Sequence, residues 1–151
     1  MPRVAIAFGS NLGDREACIR AAAAALAPLV QDLHLSSMHE TSPVDVAPQP
    51  LFLNAAAVGD TTVPLRQLLD ALLEIEREFG RERPHAGAAR TLDLDLILYG
   101  DEIASEPGLV VPHPRFRRRR FVLEPLAEVA SDMRDPVTGR TIEDLLRVLE
   151  G

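Results

Sequence analysis

Two aspartates, Asp93 and Asp95, stand two residues apart in Arg90-Thr91-Leu92-Asp93-Leu94-Asp95-Leu96-Ile97-Leu98-Tyr99. The segment alternates as a half-buried strand does, and successive side chains on a strand point to opposite faces. Leu92, Leu94, Leu96 and Leu98 are expected on one face, with Asp93, Asp95 and Ile97 on the other. Carboxylates so spaced sit roughly 6.5–7 Å apart at Cα. They can reach one hard cation, or two cations about 3.5–4 Å apart. An amphipathic strand with a wet acidic face has the same pattern, so the neighbouring residues must decide between the two.

Those neighbours are rich in arginine. Arg81, Arg83 and Arg90 precede the aspartates, and Pro112-His113-Pro114-Arg115-Phe116-Arg117-Arg118-Arg119-Arg120-Phe121 follows them. Taken alone, such a run is a solvated face or an RNA-contacting patch. Together the parts need an anion. Aspartates do not bind phosphate, but Mg²⁺ held by them does, and Arg offers paired donors to phosphate oxygens. Phosphoryl transfer asks for that combination, because its catalysis is mostly positioning and charge neutralisation. Phe52 and Phe121 add aromatic faces and Asn54 an amide that donates and accepts, which suits a flat heterocycle.

The elements that must hold these groups follow from periodicity and punctuation. Residues 4–8 read as a nearly continuous apolar strand that ends at the turn formers Gly9-Ser10-Asn11-Leu12-Gly13-Asp14. Asp14 can cap a helix to about residue 28, with Ile19, Ala22, Ala23 and Leu26 inward. Residues 33–41 form a second strand and residues 52–58 a third, closed by Gly59-Asp60. Between them Pro43, Pro48 and Pro50 exclude helix and central strand and leave a long ordered loop.

Pro64 opens a second helix to residue 79, with Leu65, Leu68, Leu69, Leu72 and Phe79 on one face. Glu76 falls roughly 20° from Leu65, inside that apolar stripe. It lies either at the stripe's exposed end or aimed at a ligand beyond the helix's C-terminal end. After the aspartate strand comes a tight turn at Gly100-Asp101, then short extended pieces over residues 102–111, then helices over residues 122–129 and 142–149. Strand pairs interleaved with helices predict an α+β, ferredoxin-like sheet with helices packed on one side and extra C-terminal helices. Residues 1–151 are expected to form a single domain.

Composition narrows the partners. Sixteen basic residues, all Arg, against 23 acidic ones give a net charge of −7, which argues against a nucleic-acid or anionic-membrane binder. The absence of Lys excludes a P-loop lysine mechanism. Cys18 is the single cysteine, so neither an internal disulfide nor a cysteine-based zinc site is expected, which fits a cytoplasmic setting. The N-terminus reads without a secretory signal, and the Ala-rich run over residues 21–30 is too short to span a bilayer.

The sequence resembles the 6-hydroxymethyl-7,8-dihydropterin pyrophosphokinases of folate biosynthesis over residues 4–130. The resemblance rests on Gly9-Ser10-Asn11-Leu12-Gly13-Asp14, Gln49-Pro50-Leu51-Phe52-Leu53-Asn54-Ala55, Gly80-Arg81-Glu82-Arg83, Arg90-Thr91-Leu92-Asp93-Leu94-Asp95, Pro112-His113-Pro114 and Phe121-Val122-Leu123-Glu124-Pro125-Leu126. It implies transfer of the β,γ-pyrophosphoryl group of MgATP to the pterin hydroxymethyl oxygen, with release of AMP. Asp93 and Asp95 match ligands of two Mg²⁺ ions. Phe52 and Phe121 match the walls around the pterin, Asn54 its edge reader, and Thr41 and Val44 the lining of the same pocket. Glu76, Arg83, Leu96, His113 and Arg119 match positions that contact ATP. Arg81 and Arg90 match arginines at the transferring phosphates.

The Pro-rich loop and residues 82–89 correspond to lids, and a monomer is implied. The family commonly carries Arg-Trp-Gly-Pro-Arg before the aspartate strand, whereas Ala86-Gly87-Ala88-Ala89-Arg90 stands here and the chain has no Trp. Residues 82–89 are therefore expected to close on phosphate rather than on an aromatic contact. The chain ends soon after the expected domain, so no fused folate enzyme is expected. Two other readings fit an Asp-x-Asp strand in such a sheet: a different Mg²⁺-dependent nucleotidyl or phosphoryl transferase, and a nucleotide- or metal-sensing module without turnover.

Overall fold

The computed structural model describes residues 1–11, 13–41, 52–80 and 92–150. In chain order these form β1 Arg3–Ser10, α1 Arg15–Leu26, β2 Gln31–Leu35, β3 His39–Thr41, β4 Phe52–Asp60, α2 Leu65–Gly80, β5 Asp93–Tyr99, β6 Ala104–Glu106, β7 Leu109–Val111, α3 Arg120–Ala130 and α4 Ile142–Glu150. The main sheet runs β2-β4-β1-β5, and β3 continues along β4. All its pairings are antiparallel. With β2 and β3 as two pieces of one strand, this is the βαββαβ order of a ferredoxin-like α+β fold, as the element pattern predicts.

The central strand β1 is almost wholly apolar because both its faces are covered. Val4, Ile6 and Phe8 pack with Ile19 and Leu26 of α1 and Leu68, Leu72 and Ile75 of α2. The opposite face carries Ala5, Ala7 and Ala56, small enough to let α3 and α4 approach with Leu123, Leu126, Ile142 and Leu145. Thus α1 and α2 lie on one side and the extra C-terminal helices close the other. Asp14 caps α1 as expected, its carboxylate accepting from the Ala17 N–H at 3.1 Å.

Three local features depart from the sequence reading. The first is a bulge in β5. Ala5 pairs with Leu98 and Ile6 with Leu96, so Ile97 is an extra residue and the alternation slips by one. Leu98 consequently joins Ile97 in the core under α3 and α4, while Leu92, Leu94 and Leu96 face α1 and α2. Tyr99 returns to the first side, where its hydroxyl donates to the Val63 carbonyl at 2.6 Å.

The second departure is that the strand expected over residues 33–41 is two strands. Ser36 is the break: its N–H donates to the Ala56 carbonyl at 2.8 Å, and its Oγ accepts from the Ala56 N–H at 2.9 Å. A side chain here takes over an acceptor role normally filled by backbone.

The third concerns Gly59, which lies inside β4 rather than closing it. A Cβ there would stand 2.6 Å from Val30 Cγ1 and 2.7 Å from the Gln31 carbonyl oxygen, so the close approach of the chain entering β2 requires glycine. The piece over residues 102–111 resolves into the β6-β7 hairpin.

Candidate active site

One end of the sheet gathers the residues with chemistry. Gly9 is in register with Asn54 on one side and Asp93 on the other, and Ala7 with Ala56 and Asp95. Side chains opposite one another in register share a face. Asn54, Asp93 and Asp95 therefore stand on the sheet face that α3 and α4 cover further along. Gly9 keeps the middle of that row open: a Cβ there would lie 3.5 Å from Asn54 Oδ1 and 3.9 Å from the Phe52 ring. Read from sequence as a turn former, Gly9 is a strand residue whose missing side chain leaves a floor between amide and carboxylates.

Asn54 is buried, with 5% of its surface exposed, and its Nδ2 donates to Thr41 Oγ1 at 2.6 Å. That bond orients the amide and leaves its oxygen toward Gly9. Thr41 pairs with Phe52, which is half-buried beside it. The expected substrate-pocket residues Thr41, Phe52 and Asn54 are thus neighbours. Val44 lies outside the described residues, as do Arg81, Arg83 and Arg90.

Asp93 is exposed and Asp95 half-buried. Between them the Leu94 N–H donates to Glu76 Oε2 at 2.7 Å. Glu76 thus sits neither at an idle end of its stripe nor in open solvent. From the last turns of α2 it grips the backbone that carries both aspartates. Leu96, an expected ATP contact, is buried in the core under α1 and α2, with 5% of the residue exposed. A ligand meeting Leu96 would do so through the backbone of the edge strand β5.

His113 is fixed against the same strand. Its N–H donates to the Ile97 carbonyl at 3.0 Å, and its Nδ1 accepts from the Arg115 N–H at 3.2 Å. With Nδ1 accepting, a neutral imidazole carries its proton on Nε2. Burial pushes the His113 imidazole below its ordinary value; Asp95 pulls the other way, and Arg119 and Arg115 act in the same sense as burial. Those opposed charges bring Asp95, His113 and Arg119 into one electrostatic neighbourhood. Arg119 is the N-cap residue of α3, and its guanidinium lies 5.6 Å from the Phe121 ring centroid. Phe121 is 41% exposed.

The arginine run is divided by its partners rather than acting as one patch. Arg117 pairs with Asp135, at 2.5 and 2.9 Å, and Arg120 pairs with Glu124 and Glu150. Arg115 and Arg119 are the members that act on His113. Proximity in sequence could not reveal this sorting, because the acidic partners Asp135 and Glu150 lie beyond the run.

The donor set suits Mg²⁺. That ion keeps several waters and takes one or two carboxylates plus substrate phosphates rather than a cage of protein ligands. Asp93 and Asp95 on an open strand end meet this description. Among the described residues no group of three His, Cys, Asp or Glu converges on a metal position.

A ferredoxin-like sheet whose end combines a carboxylate pair, a fixed histidine, arginine, a buried amide and exposed or half-buried aromatic rings is the framework of a small α+β enzyme. Residues 5–131 match the family model described as 7,8-dihydro-6-hydroxymethylpterin-pyrophosphokinase (HPPK), and the chain belongs to that family. A Pseudomonas aeruginosa 2-amino-4-hydroxy-6-hydroxymethyldihydropteridine pyrophosphokinase is 42% identical, over 95% of this chain and 90% of its own. The enzyme of that name from Bacillus subtilis is 40% identical, over 95% of this chain and 87% of its own. Among solved structures, a Plasmodium falciparum HPPK-DHPS chain superposes with a TM-score of 0.74 at 14% identity, over 97% of this chain. The present chain spans 44% of that longer one, and the likeness is one of fold.

Proposed function

We infer that the protein transfers the pyrophosphoryl group of ATP to the hydroxymethyl group of 6-hydroxymethyl-7,8-dihydropterin and releases AMP, a step of folate biosynthesis. The observation that carries this reading is the single row of Asn54, Gly9 and Asp93 across three adjacent strands. It supports the reading because an amide able to read a heterocycle edge and a carboxylate pair share one face, with an open floor between them.

In this reading the pterin ring lies between Phe52 and Phe121, with Asn54 reading its edge and Thr41 and Val44 completing the pocket. The hydroxymethyl oxygen attacks the β-phosphorus, the bond from that phosphorus to the oxygen bridging to the α-phosphorus breaks, and AMP departs while the hydroxyl proton is lost. Asp93 and Asp95 would hold two Mg²⁺ ions, which when bound neutralise phosphate charge and polarise the phosphoryl oxygens. Glu76 keeps the strand under both aspartates in place through Leu94. His113 offers its Nε2 proton, and Arg119 its guanidinium, to phosphate or ribose; Arg83 and Leu96 complete the ATP contacts. Arg81 and Arg90 meet the transferring group, where stabilisation that grows in the transition state raises the rate. We take the protein to act as a cytoplasmic monomer; among the described residues no helix is long and apolar enough to cross a membrane.

Incubation with MgATP and 6-hydroxymethyl-7,8-dihydropterin, with identification of the nucleotide product, tests the reading. AMP formed only when pterin is present is the expected result. Pyrophosphate as the product would point to a nucleotidyl transferase, and no turnover to a binding module; either overturns it.

A further inference from the structure

A polar cluster away from the expected ligand contacts joins the two sides of the heterocycle pocket. Glu128, on α3, accepts from the Ser37 N–H at 2.9 Å and contacts Ser37 Oγ at 2.8 Å. His39 Nε2 lies 2.6 Å from Glu128 Oε2, and His39 Nδ1 lies 3.9 Å from Glu124 Oε2, one turn earlier on the helix. Proton accounting settles the donors. An ionised Glu128 only accepts, so Ser37 donates through its hydroxyl and His39 through Nε2–H. Burial raises the Glu128 carboxyl, but the Ser37 and His39 hydrogen bonds outweigh it and hold the group below its ordinary range. Glu124 is itself engaged by Arg120, which also reaches Glu150.

The order of these contacts defines a register between strand and helix. Glu128 meets Ser37 and His39, and Glu124 lies nearer the other side of His39, so the chain from residue 37 to 41 runs against the direction of α3. Four residues of extended chain carry the line from Ser37 to Thr41, roughly 13 Å. Seven residues of helix carry it from Glu128 to Phe121, about 10.5 Å along the axis and only about 20° around it. Thr41, bonded to Asn54, and Phe121 are therefore projected from one shared anchor toward the same end of the sheet.

We propose that Ser37, His39 and Glu128 form a positioning latch that sets the Phe121 wall against the Thr41-Asn54 side and so fixes the width of the pterin pocket. The three residues touch neither reacting group; they act through the strand and helix they join. The inference rests on the pterin reading above. Because the cluster is partly exposed, with side-chain accessibilities of 27% for His39 and 37% for Glu128, its contribution to global stability is small. Its effect belongs in ligand affinity.

The test is calorimetric titration of the intact protein with 6-hydroxymethyl-7,8-dihydropterin and, separately, with a non-hydrolysable MgATP analogue, alongside Tm. Glu128→Ala is expected to raise the pterin Kd about three- to tenfold, from exposed contacts that together amount to about 1 kcal/mol. The analogue Kd should change by less than about twofold, and Glu128→Gln, which keeps an acceptor for Ser37, should recover part of the pterin affinity. Leu146→Ala, a partly buried residue of α4 packed against the core that α3 also covers, controls for loosened packing. If Leu146→Ala weakens pterin binding as much as Glu128→Ala does, or if Glu128→Ala leaves pterin affinity unchanged or weakens both ligands alike, the latch is wrong. Should the wild-type protein bind and turn over pterin while the variants behave as wild type, the latch alone fails. If the wild type binds no pterin, the activity reading fails and the latch with it.

Discussion

The two aspartates differ in surroundings although they share a strand face. Asp93 is exposed, whereas Asp95 is half-buried within the electrostatic reach of His113. Replacing Asp95 removes a carboxylate from the centre of the site without touching either core. Asp95→Ala is expected to cut turnover about a thousandfold or more, with Tm nearly unchanged. Turnover close to wild type in Mg²⁺ would refute the metal role, and failure to fold would show the strand face to be structural.

The aromatic walls make a separate claim at the same scale. Phe52→Ala and Phe121→Ala should each weaken pterin binding more than tenfold, since an aromatic contact adds about 0.5–1.5 kcal/mol to the burial it provides. Binding of an ATP analogue should change much less, and equal losses for both ligands would mean the pocket is misplaced. These residue types and their spacing were legible in the sequence. The role of Glu76 was visible only as an anomaly, a carboxylate in an apolar stripe, because its partner is a backbone N–H that no sequence pattern announces.

Among the elements, periodicity located every long strand and helix of the described chain but missed where strands depart from regular pairing. Regular alternation cannot announce the extra residue at Ile97, and the slip it causes moves Leu98 from one core to the other. The break at Ser36 is equally local, a hydroxyl substituting for a backbone acceptor. It also turns Ser37 and His39 toward α3, so the missed break and the missed latch have one cause. The expected lid segments, residues 82–89 and the Pro-rich loop, fall outside the described residues apart from Thr41 and Phe52 at the loop's flanks.

Gly59 provides the test at this scale. Strand alternation alone would tolerate Ala there, but the close approach of Val30 and Gln31 would not, since backbone stands 2.7 Å from the added Cβ. Gly59→Ala should destabilise the fold by about 1–3 kcal/mol, as overpacking does, measured by urea denaturation. Pterin and ATP affinities of the folded fraction should stay as in wild type. A variant as stable as wild type would show that β2 can shift away from β4.

At the scale of the whole molecule, the site depends on a C-terminal unit that covers the second sheet face, and that unit is tied down by one buried carboxylate. Asp135 has no exposed side-chain surface. It accepts from Arg117 Nε and Nη2, from Thr138 Oγ1 and from the Val137 N–H. Arg117 belongs to the short 3-10 turn Phe116–Arg118, directly before Arg119 and Phe121. The loop between α3 and α4 thereby anchors the approach to the N-terminal end of α3.

Burial raises the Asp135 carboxyl, but the hydrogen bonds from Arg117, Thr138 and Val137 outweigh it and leave the group below its ordinary range. The unfolded chain then takes up this proton at a higher pH than the folded protein does. The stabilisation is complete above the unfolded value of about 3.9 and is lost as pH falls through the depressed folded value. Glu128, also depressed, contributes in the same direction.

Thermal unfolding should therefore show Tm falling as pH is lowered from about 4 toward 3 and below, once pH passes under the unfolded carboxyl values of about 3.9 and 4.3. Asp135→Asn should lower stability near neutral pH by about 3 kcal/mol or less, because Arg117 is a quarter exposed and can recover some hydration. Having lost the titrating group, the variant should also show a shallower fall of Tm with acid. A slope as steep as wild type would place the acid sensitivity elsewhere in the molecule. A steeper fall would reverse the sign of the linkage assigned to Asp135.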